Sequence, residues 1–351
     1  MSKVPILLSL AAVFASSCGS RGGGSADSYD YAPPVFKKER NAELVRLNDD
    51  MMFSIPMNMF LYDDVAVLKA RSVDNENVFQ VLSLVDGRQV TSFGVAGRGG
   101  NELEDYGRIS VDVEKGMLYA MSNGSKFMRA DLRRAVAGDP KFVEDCYNLS
   151  GRNITLTFHA FGDKMLHTEA VPRFFITDLY AADTLARCAE YPKVTRELDA
   201  DPTRSKLYFG YCATSAVKPD GRKFVSVTNF GMLMEIYDIA RDGIIPSIVR
   251  RFHKPEMQTV NCGTDDCVMG AYVQAVTDKY IYTIYFDATY GECINGACPS
   301  VAVFDWDGNP VAKYSSKDKI IRIAVTPDDR RVYCWVQDAD AEEYFGYFDL
   351  K

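Results

Sequence analysis

The sequence predicts an all-β chain, a six-bladed β-propeller with four antiparallel strands in each blade. Three observations point there. A short phrase, apolar strand then tight charged turn then apolar strand, occurs inside Ile109–Asp131 (ISVDVEKGMLYAMSNGSKFMRAD). It recurs at Phe60–Val65 (FLYDDV), Ala160–Met165 (AFGDKM), Ala216–Lys223 (AVKPDGRK), Ala275–Tyr280 (AVTDKY) and Ala324–Arg331 (AVTPDDRR). The last apolar residue before each turn is Leu61, Val113, Phe161, Val217, Val276 and Val325, giving steps of 52, 48, 56, 59 and 49 residues. Repeats of roughly 40–50 residues with four strands each are propeller-sized, and a blade that cannot bury both faces alone must stack on neighbours in a ring. Finally, each unit divides into apolar and β-branched runs bounded by turn residues, and no long amphipathic helical pattern interrupts them.

Taken in order, the chain opens with MSKVPILLSLAAVFASSC: one Lys, an apolar run from Val4 to Ala15, then small residues ending at Cys18. This is the pattern of a secretion signal, too short for a membrane span. Residues 1–17 are read as the signal peptide and 18–40 as a tether rich in Gly and Ser; 41–351 is the propeller. The fourth unit is the clearest, with strands expected at Tyr211–Val217, Arg222–Thr228, Met232–Ile239 and Ile244–His253. The sixth unit is one strand short, having only Ile320–Val325, Arg331–Val336 and Glu343–Asp349. The unpaired apolar segment Ala42–Leu47 is expected to complete it, because an open ring would leave bare sheet edges.

Forty basic against 48 acidic residues give a net charge of −8 with no basic cluster, so nucleic acid is not an expected partner. Of nine cysteines, four fall in two C-x4-C pairs, Cys262/Cys267 and Cys293/Cys298. A zinc site fits the spacing, but in an exported chain disulfides fit the context better, and two bridges of undetermined connectivity are expected. The other cysteines of the mature chain, Cys146, Cys188, Cys212 and Cys334, lie in predicted strands as buried thiols.

Three stretches resemble the six-bladed, TolB-like propeller lipoproteins of Bacteroides and its relatives. They are Ser92–Asn101 (SFGVAGRGGN), Tyr211–Ile239 (YCATSAVKPDGRKFVSVTNFGMLMEIYDI) and Val301–Tyr314 (VAVFDWDGNPVAKY). Small residues before Cys18, with Gly19 after it, likewise resemble a bacterial lipoprotein signal, although Ala15 stands where Leu is usual. The resemblance implies lipidation at Cys18 and an envelope location, the outer membrane in the first place. Gly-Ser-Arg follows Cys18 where surface-exported relatives carry acidic residues, so a periplasm-facing position is expected. The resemblance supplies no catalytic residues.

Chemistry is sparse in the residues themselves. The three histidines, His159, His167 and His253, have no paired spacing, and there is no GxSxG elbow. The glycine run from Gly94 to Gly100 is neither a P-loop nor a dinucleotide fingerprint. No catalytic residue, metal site or cofactor is therefore expected. Strand alternation places the connections at 94–107, 122–125, 192–210, 229–231, 254–269 and 287–299, the long ones among them, on one face. Arg98, Asn101, Glu102, Tyr106, Asn229, Phe230, Asp265 and Asp266 form the candidate recognition surface there. All four paired cysteines should emerge on that face, whereas the short turns opposite are expected to build no pocket. The partner could be a protein, a peptide or a glycan, held by a monomer whose only membrane contact is its lipid. The alternative is a hydrolase or lyase with a metal on the central axis. Its inner-strand candidates would be Arg108, Asp112, His159, Tyr211, Gln274 and Arg322, a set poor in carboxylate.

Overall fold

The computed structural model describes residues 29–50, 53–72, 76–97, 99, 102–103, 108–122, 126–148, 157–169, 173–180, 183–192, 211–241, 243–254 and 266–351. Two strands, β1 (Lys38–Asn41) and β2 (Val45–Asn48), precede the first blade. Blade 1 is β3 (Asn58–Tyr62), β4 (Val65–Lys69), β5 (Asn77–Ser83) and β6 (Gln89–Val95). Blade 2 is β7 (Arg108–Asp112), β8 (Met117–Ser122), β9 (Lys126–Asp131) and β10 (Val143–Asn148), with the short helix α1 (Leu132–Val136) before its last strand. Blade 3 is β11 (Thr157–Phe161), β12 (Lys164–Thr168), β13 (Phe174–Asp178) and β14 (Thr184–Cys188). Blade 4 is β15 (Ala213–Val217), β16 (Lys223–Thr228), β17 (Met232–Ala240) and β18 (Gly243–His253). Blade 5 is β19 (Ala271–Val276), β20 (Tyr280–Tyr285), β21 (Ser300–Asp305) and β22 (Pro310–Ser315), with helix α2 (Tyr290–Ile294) between its second and third strands. Blade 6 has β23 (Lys319–Val325), β24 (Arg331–Gln337) and β25 (Glu343–Asp349). Among the described residues no helix is long and apolar enough to cross a membrane.

Every repeated turn joins the first strand of a blade to the second, as its spacing predicts. Asp63 and Asp329 take the left-handed backbone conformation there that Gly116, Gly162 and Gly221 take in other blades. Asp tolerates that region because its short side chain can hydrogen-bond locally. The apolar runs around these turns are continuous because both sheet faces are buried. In β24, Val332, Cys334 and Val336 pack against blade 5, while Tyr333 and Trp335 between them pack against blade 1. In β16, Phe224 meets blade 3, and Val225 and Val227 meet blade 5. A period of two in side-chain direction thus feeds two interfaces at once. Separate apolar cores fill the contacts between blades 1 and 2, 2 and 3, 3 and 4, 4 and 5, 5 and 6, and 6 and 1.

The N-terminal segment closes the ring. β2 is the fourth strand of blade 6, antiparallel to β25, with Val45 opposite Tyr347 and Asn48 opposite Phe345. The strand covers Val45–Asn48 rather than the expected Ala42–Leu47, because Ala42 donates instead to Ser315 O on blade 5 (2.7 Å). Ahead of it, β1 adds a fifth, parallel strand to blade 5, from Lys38 opposite Ala312 to Asn41 opposite Ser315. Phe36 wedges between blades 4 and 5, its ring centroid 5.6 Å from that of Phe304 and 5.9 Å from that of Tyr285. The Ala32 amide donates to Arg251 O on blade 4 (3.1 Å), and the Asn48 side chain donates to Gly87 O on blade 1 (3.0 Å). Residues 32–48 therefore form a belt over the outer rim from blade 4 round to blade 1.

Candidate functional site

The six inner strands β3, β7, β11, β15, β19 and β23 stand around the axis, each the edge of its sheet. An edge leaves main-chain groups that need partners. Adjacent blades supply several: Ser110 Oγ accepts from the Ala160 amide (2.8 Å), and Thr214 Oγ1 accepts from the Val273 amide (2.7 Å). His159 Nε2 lies 2.8 Å from Ser215 Oγ, tying blade 3 to blade 4, and Arg322 Nε donates to Met57 O (3.2 Å), tying blade 6 to the start of blade 1.

Inside this ring runs a cavity of about 440 Å³ lined from all six blades. Its wall includes Asn58, Ser110, His159, Ser215 and Gln274 between apolar Phe60, Val111, Val217 and Val325. Its rim includes Glu114, Pro219, Asp278 and Pro327, all in the repeated first turns. The short-turn face thus does border a pocket, contrary to expectation. The pocket belongs to the axis, where six turns converge, and not to any single turn.

His159 is half-buried, and the blades around it withdraw its ring from bulk water. That burial pushes its pKa down to about 4, so the imidazole is neutral at physiological pH and can both donate and accept. The folded value lies below the ordinary one near 6.5, so the unfolded chain takes up the proton first as pH falls. Stability is complete above about pH 6.5 and declines down to about pH 4. With the ring partly reached by solvent, the loss is roughly 1–3 kcal/mol. His253 shifts the same way through burial, with Asp287 opposing. Comparing the melting temperature of wild type and His159→Gln between pH 7 and pH 4 therefore isolates His159, and the variant should show the shallower decline. Parallel curves would reject this role.

The other inner-strand candidates separate by position. Arg108 opens β7 and Asp112 closes it, where the Asp112 carboxylate accepts from the Lys115 amide in the turn (3.1 Å). Tyr211 lies two residues ahead of β15 and away from the axis. Its buried hydroxyl donates to Pro192 O (2.6 Å), and its ring faces the Arg173 guanidinium.

Of the long-loop candidates, Arg98, Asn101, Tyr106 and Asp265 lie outside the described residues. Glu102 turns inward: its carboxylate accepts from the Gly99 amide (2.6 Å), and side chains at Gly97 or Gly99 would run into it. Gly97 and Gly99 thus leave room for the chain's own carboxylate, and Lys126 of blade 2 closes the loop, donating to Glu102 O (2.9 Å) and to Gly99 O. Asn229 and Phe230 join the segment that begins at exposed Asp266. Phe230 bridges Met269, the Gly231 amide donates to Val268 O, and the Gly270 amide donates to Asn229 O, each 2.8 Å. A Cβ at Gly270 would strike the Gly231 and Thr228 carbonyls, so only glycine permits this seam between blades 4 and 5.

Among the described residues none of the expected disulfides is formed. Cys267, Cys293 and Cys298 are thiols, and Cys262 lies outside the described residues. Cys293 belongs to α2, whose capping box pairs Thr289 with Glu292, while the Cys298 thiol points to Lys317 O (3.5 Å) beyond the helix. The helix imposes its own geometry on a spacing that would suit a loop. Cys267 is fully buried, with its thiol directed at Val268 O (3.7 Å). Among the described residues no three His, Cys, Asp or Glu side chains are grouped so as to hold a metal ion.

A polar cluster invisible in the sequence sits between blades 3 and 4. Arg173 and Glu235 are 3% and 2% exposed. Arg173 donates to both Glu235 oxygens, at 2.7 Å for Oε1, and to Tyr237 Oη (2.9 Å); the Tyr237 hydroxyl in turn donates to Oε1 (2.6 Å). The rings of Phe174, Tyr191 and Tyr211 lie 4.8 to 4.9 Å from its guanidinium carbon. Burial opposes the charge, but the Glu235 carboxylate more than compensates and holds the Arg173 pKa above its ordinary value. The cluster anchors both ends of the connection between Tyr191 and Tyr211.

Comparison with known proteins bears on the fold. Residues 185–328 match the family described as TolB-like 6-blade propeller-like. The fold is a six-bladed β-propeller, and the TolB-like match covers its central and later blades. A member of the duf4221 family from Bacteroides vulgatus superposes with a TM-score of 0.57 at 11% identity, over 89% of this chain and 99% of that one. The hydrazine synthase of Kuenenia stuttgartiensis gives a TM-score of 0.46 at 10% identity, over 87% and 98%. No curated protein sequence matches the chain.

Proposed function

We propose that the protein is an exported, lipid-anchored propeller that binds a ligand or partner at the cell envelope, with the axial channel as its binding site. The observation that carries this reading is the channel wall. Neutral hydrogen-bonding groups from Asn58, Ser110, His159, Ser215 and Gln274 alternate with apolar side chains in a cavity whose volume suits a small organic ligand. The belt supports the anchored arrangement. The described chain begins at the outer rim of blade 4, so a tether running from Cys18 would hold the propeller by its side and leave both ends of the channel accessible.

Each buried methylene of an acyl chain contributes about 0.8 kcal/mol, and more than one chain gives stable anchoring without a membrane-spanning segment. Fractionating cells that express wild type and Cys18→Ala tests the anchor. The wild type should sediment with membranes, and the variant should be released with an unchanged melting temperature. A variant that still partitions with the membrane would reject lipid anchoring.

A further inference from the structure

The phrase that repeats in the sequence also builds the mouth of the channel. In blades 4, 5 and 6 it carries Ala-Val just before the turn, and all six residues, Ala216-Val217, Ala275-Val276 and Ala324-Val325, line the cavity. Leu61 and Val113 hold the equivalent positions in blades 1 and 2 and line it too. Phe161, their blade 3 counterpart, lies instead against Gly221 in the first turn of blade 4. Five of the six blades thus contribute to an apolar collar.

Below the collar the wall changes character. Ser215 and Gln274 stand two residues before Val217 and Val276, and Asn58 and Ser110 three before Leu61 and Val113, so at the rise of a strand they lie about 7–10 Å further in. His159 joins this floor through Ser215 (2.8 Å). In β19 a register break between Val273 and Ala275 leaves Gln274 out of the ladder, and a bulge of this kind re-aims its side chain. Neither the Asn58 nor the Gln274 amide is engaged by a described residue. Ser110, whose oxygen accepts from the Ala160 amide, keeps its hydroxyl proton to donate. β23 breaks register as well, between Ile320 and Arg322, but the Arg322 guanidinium donates to the Ile321 and Met57 carbonyls and does not line the cavity.

No Lys or Arg lines this cavity, and its charged lining residues, Glu114 and Asp278, are both at the rim. The Asp278 side chain is 73% exposed and lies 3.9 Å from Lys218 Nζ. A charge of either sign carried down to the floor would lose its water and meet no counter-charge, whereas hydroxyl groups would meet donors and acceptors from five blades. We propose that the channel takes an uncharged, polyhydroxylated molecule bearing an apolar group, a glycoside seated sugar-first with its hydroxyls on the floor and its aglycone in the collar. The proposal rests on the channel being the binding site and adds the class and orientation of what binds.

Calorimetric titration of the purified mature chain with phenyl β-D-glucoside, phenyl β-D-glucuronide, D-glucose and phenol tests it. Wild type should bind the glucoside about tenfold more tightly, or better, than each of the other three, which add a charge, lack the apolar group or lack the sugar hydroxyls. Gln274→Ala should weaken the glucoside by about fivefold, the worth of one neutral hydrogen bond. Asn58→Trp, which fills the channel, should abolish binding. Both variants should melt like wild type, because neither side chain has a described partner to lose. Equal or tighter binding of the glucuronide, glucose or phenol would overturn the ligand class and keep the channel as a site, and so would Gln274→Ala binding at wild-type strength. Glucoside binding that survives Asn58→Trp would put the sugar outside the channel and overturn both readings, and no response to any probe would overturn the ligand class.

Discussion

A chain truncated to begin at residue 51 is expected not to hold a closed ring, its melting temperature falling by 10 °C or more, or its cooperative transition disappearing. The deletion removes the fourth strand of blade 6, the fifth strand of blade 5 and the Phe36 wedge together. Loss of a buried Phe alone costs about 3–5 kcal/mol, and whole domains are stable by only about 5–15 kcal/mol. The β25 edge, with Tyr344, Phe345 and Phe348 buried, would be opened to solvent and to other chains. Calorimetry and light scattering read both effects. The controls divide the belt: deletion to residue 28 should be silent, and Phe36→Ala should cost an intermediate amount. A truncation to residue 51 that melts like the full chain would mean that the belt is decoration and closure lies elsewhere.

Arg173→Met is expected to destabilise the protein by about 3–5 kcal/mol, because it leaves the Glu235 carboxylate enclosed with only the Tyr237 hydroxyl beside it. The aromatic cage of Phe174, Tyr191 and Tyr211 also loses its cation, at roughly 0.5–2 kcal/mol for such contacts. Because the cost lies mainly in the orphaned charge, adding Glu235→Leu to Arg173→Met should recover much of the stability. Denaturant unfolding of the two single variants and the double variant forms the cycle. Additive losses would show that the two residues act separately and that the ion pair is not what holds blades 3 and 4 together.

The blades were legible because their physics is local and doubled. In β24 every residue from Val332 to Val336 is buried, alternate positions serving opposite neighbours, so the strand reads as an uninterrupted apolar run beside a turn. β1 was not legible: its residues, Lys-Glu-Arg-Asn, are all exposed, and it is held by backbone groups laid along β22 and by the Glu39–Lys313 ion pair (3.2 Å). α2 had a signature that cysteine spacing obscured, the Thr289-x-x-Glu292 capping box. Glu102 lies in a long connection, the place for a surface ligand, but its carboxylate folds back onto the Gly99 amide of the same loop, where Gly97 and Gly99 leave it room. Gln274 and Arg322 were recognised as inner-strand residues, yet the register breaks that set them apart depend on pairing between strands, which composition does not encode.

The account turns on the channel as the binding site, and the most direct measurement is a crystal structure of the mature chain soaked with phenyl β-D-glucoside. Density along the axis, within hydrogen-bonding distance of the Asn58 and Gln274 amides, is the predicted result. A vacant channel with the glycoside bound on the opposite loops, beside Phe230 and Asp266, would contradict it.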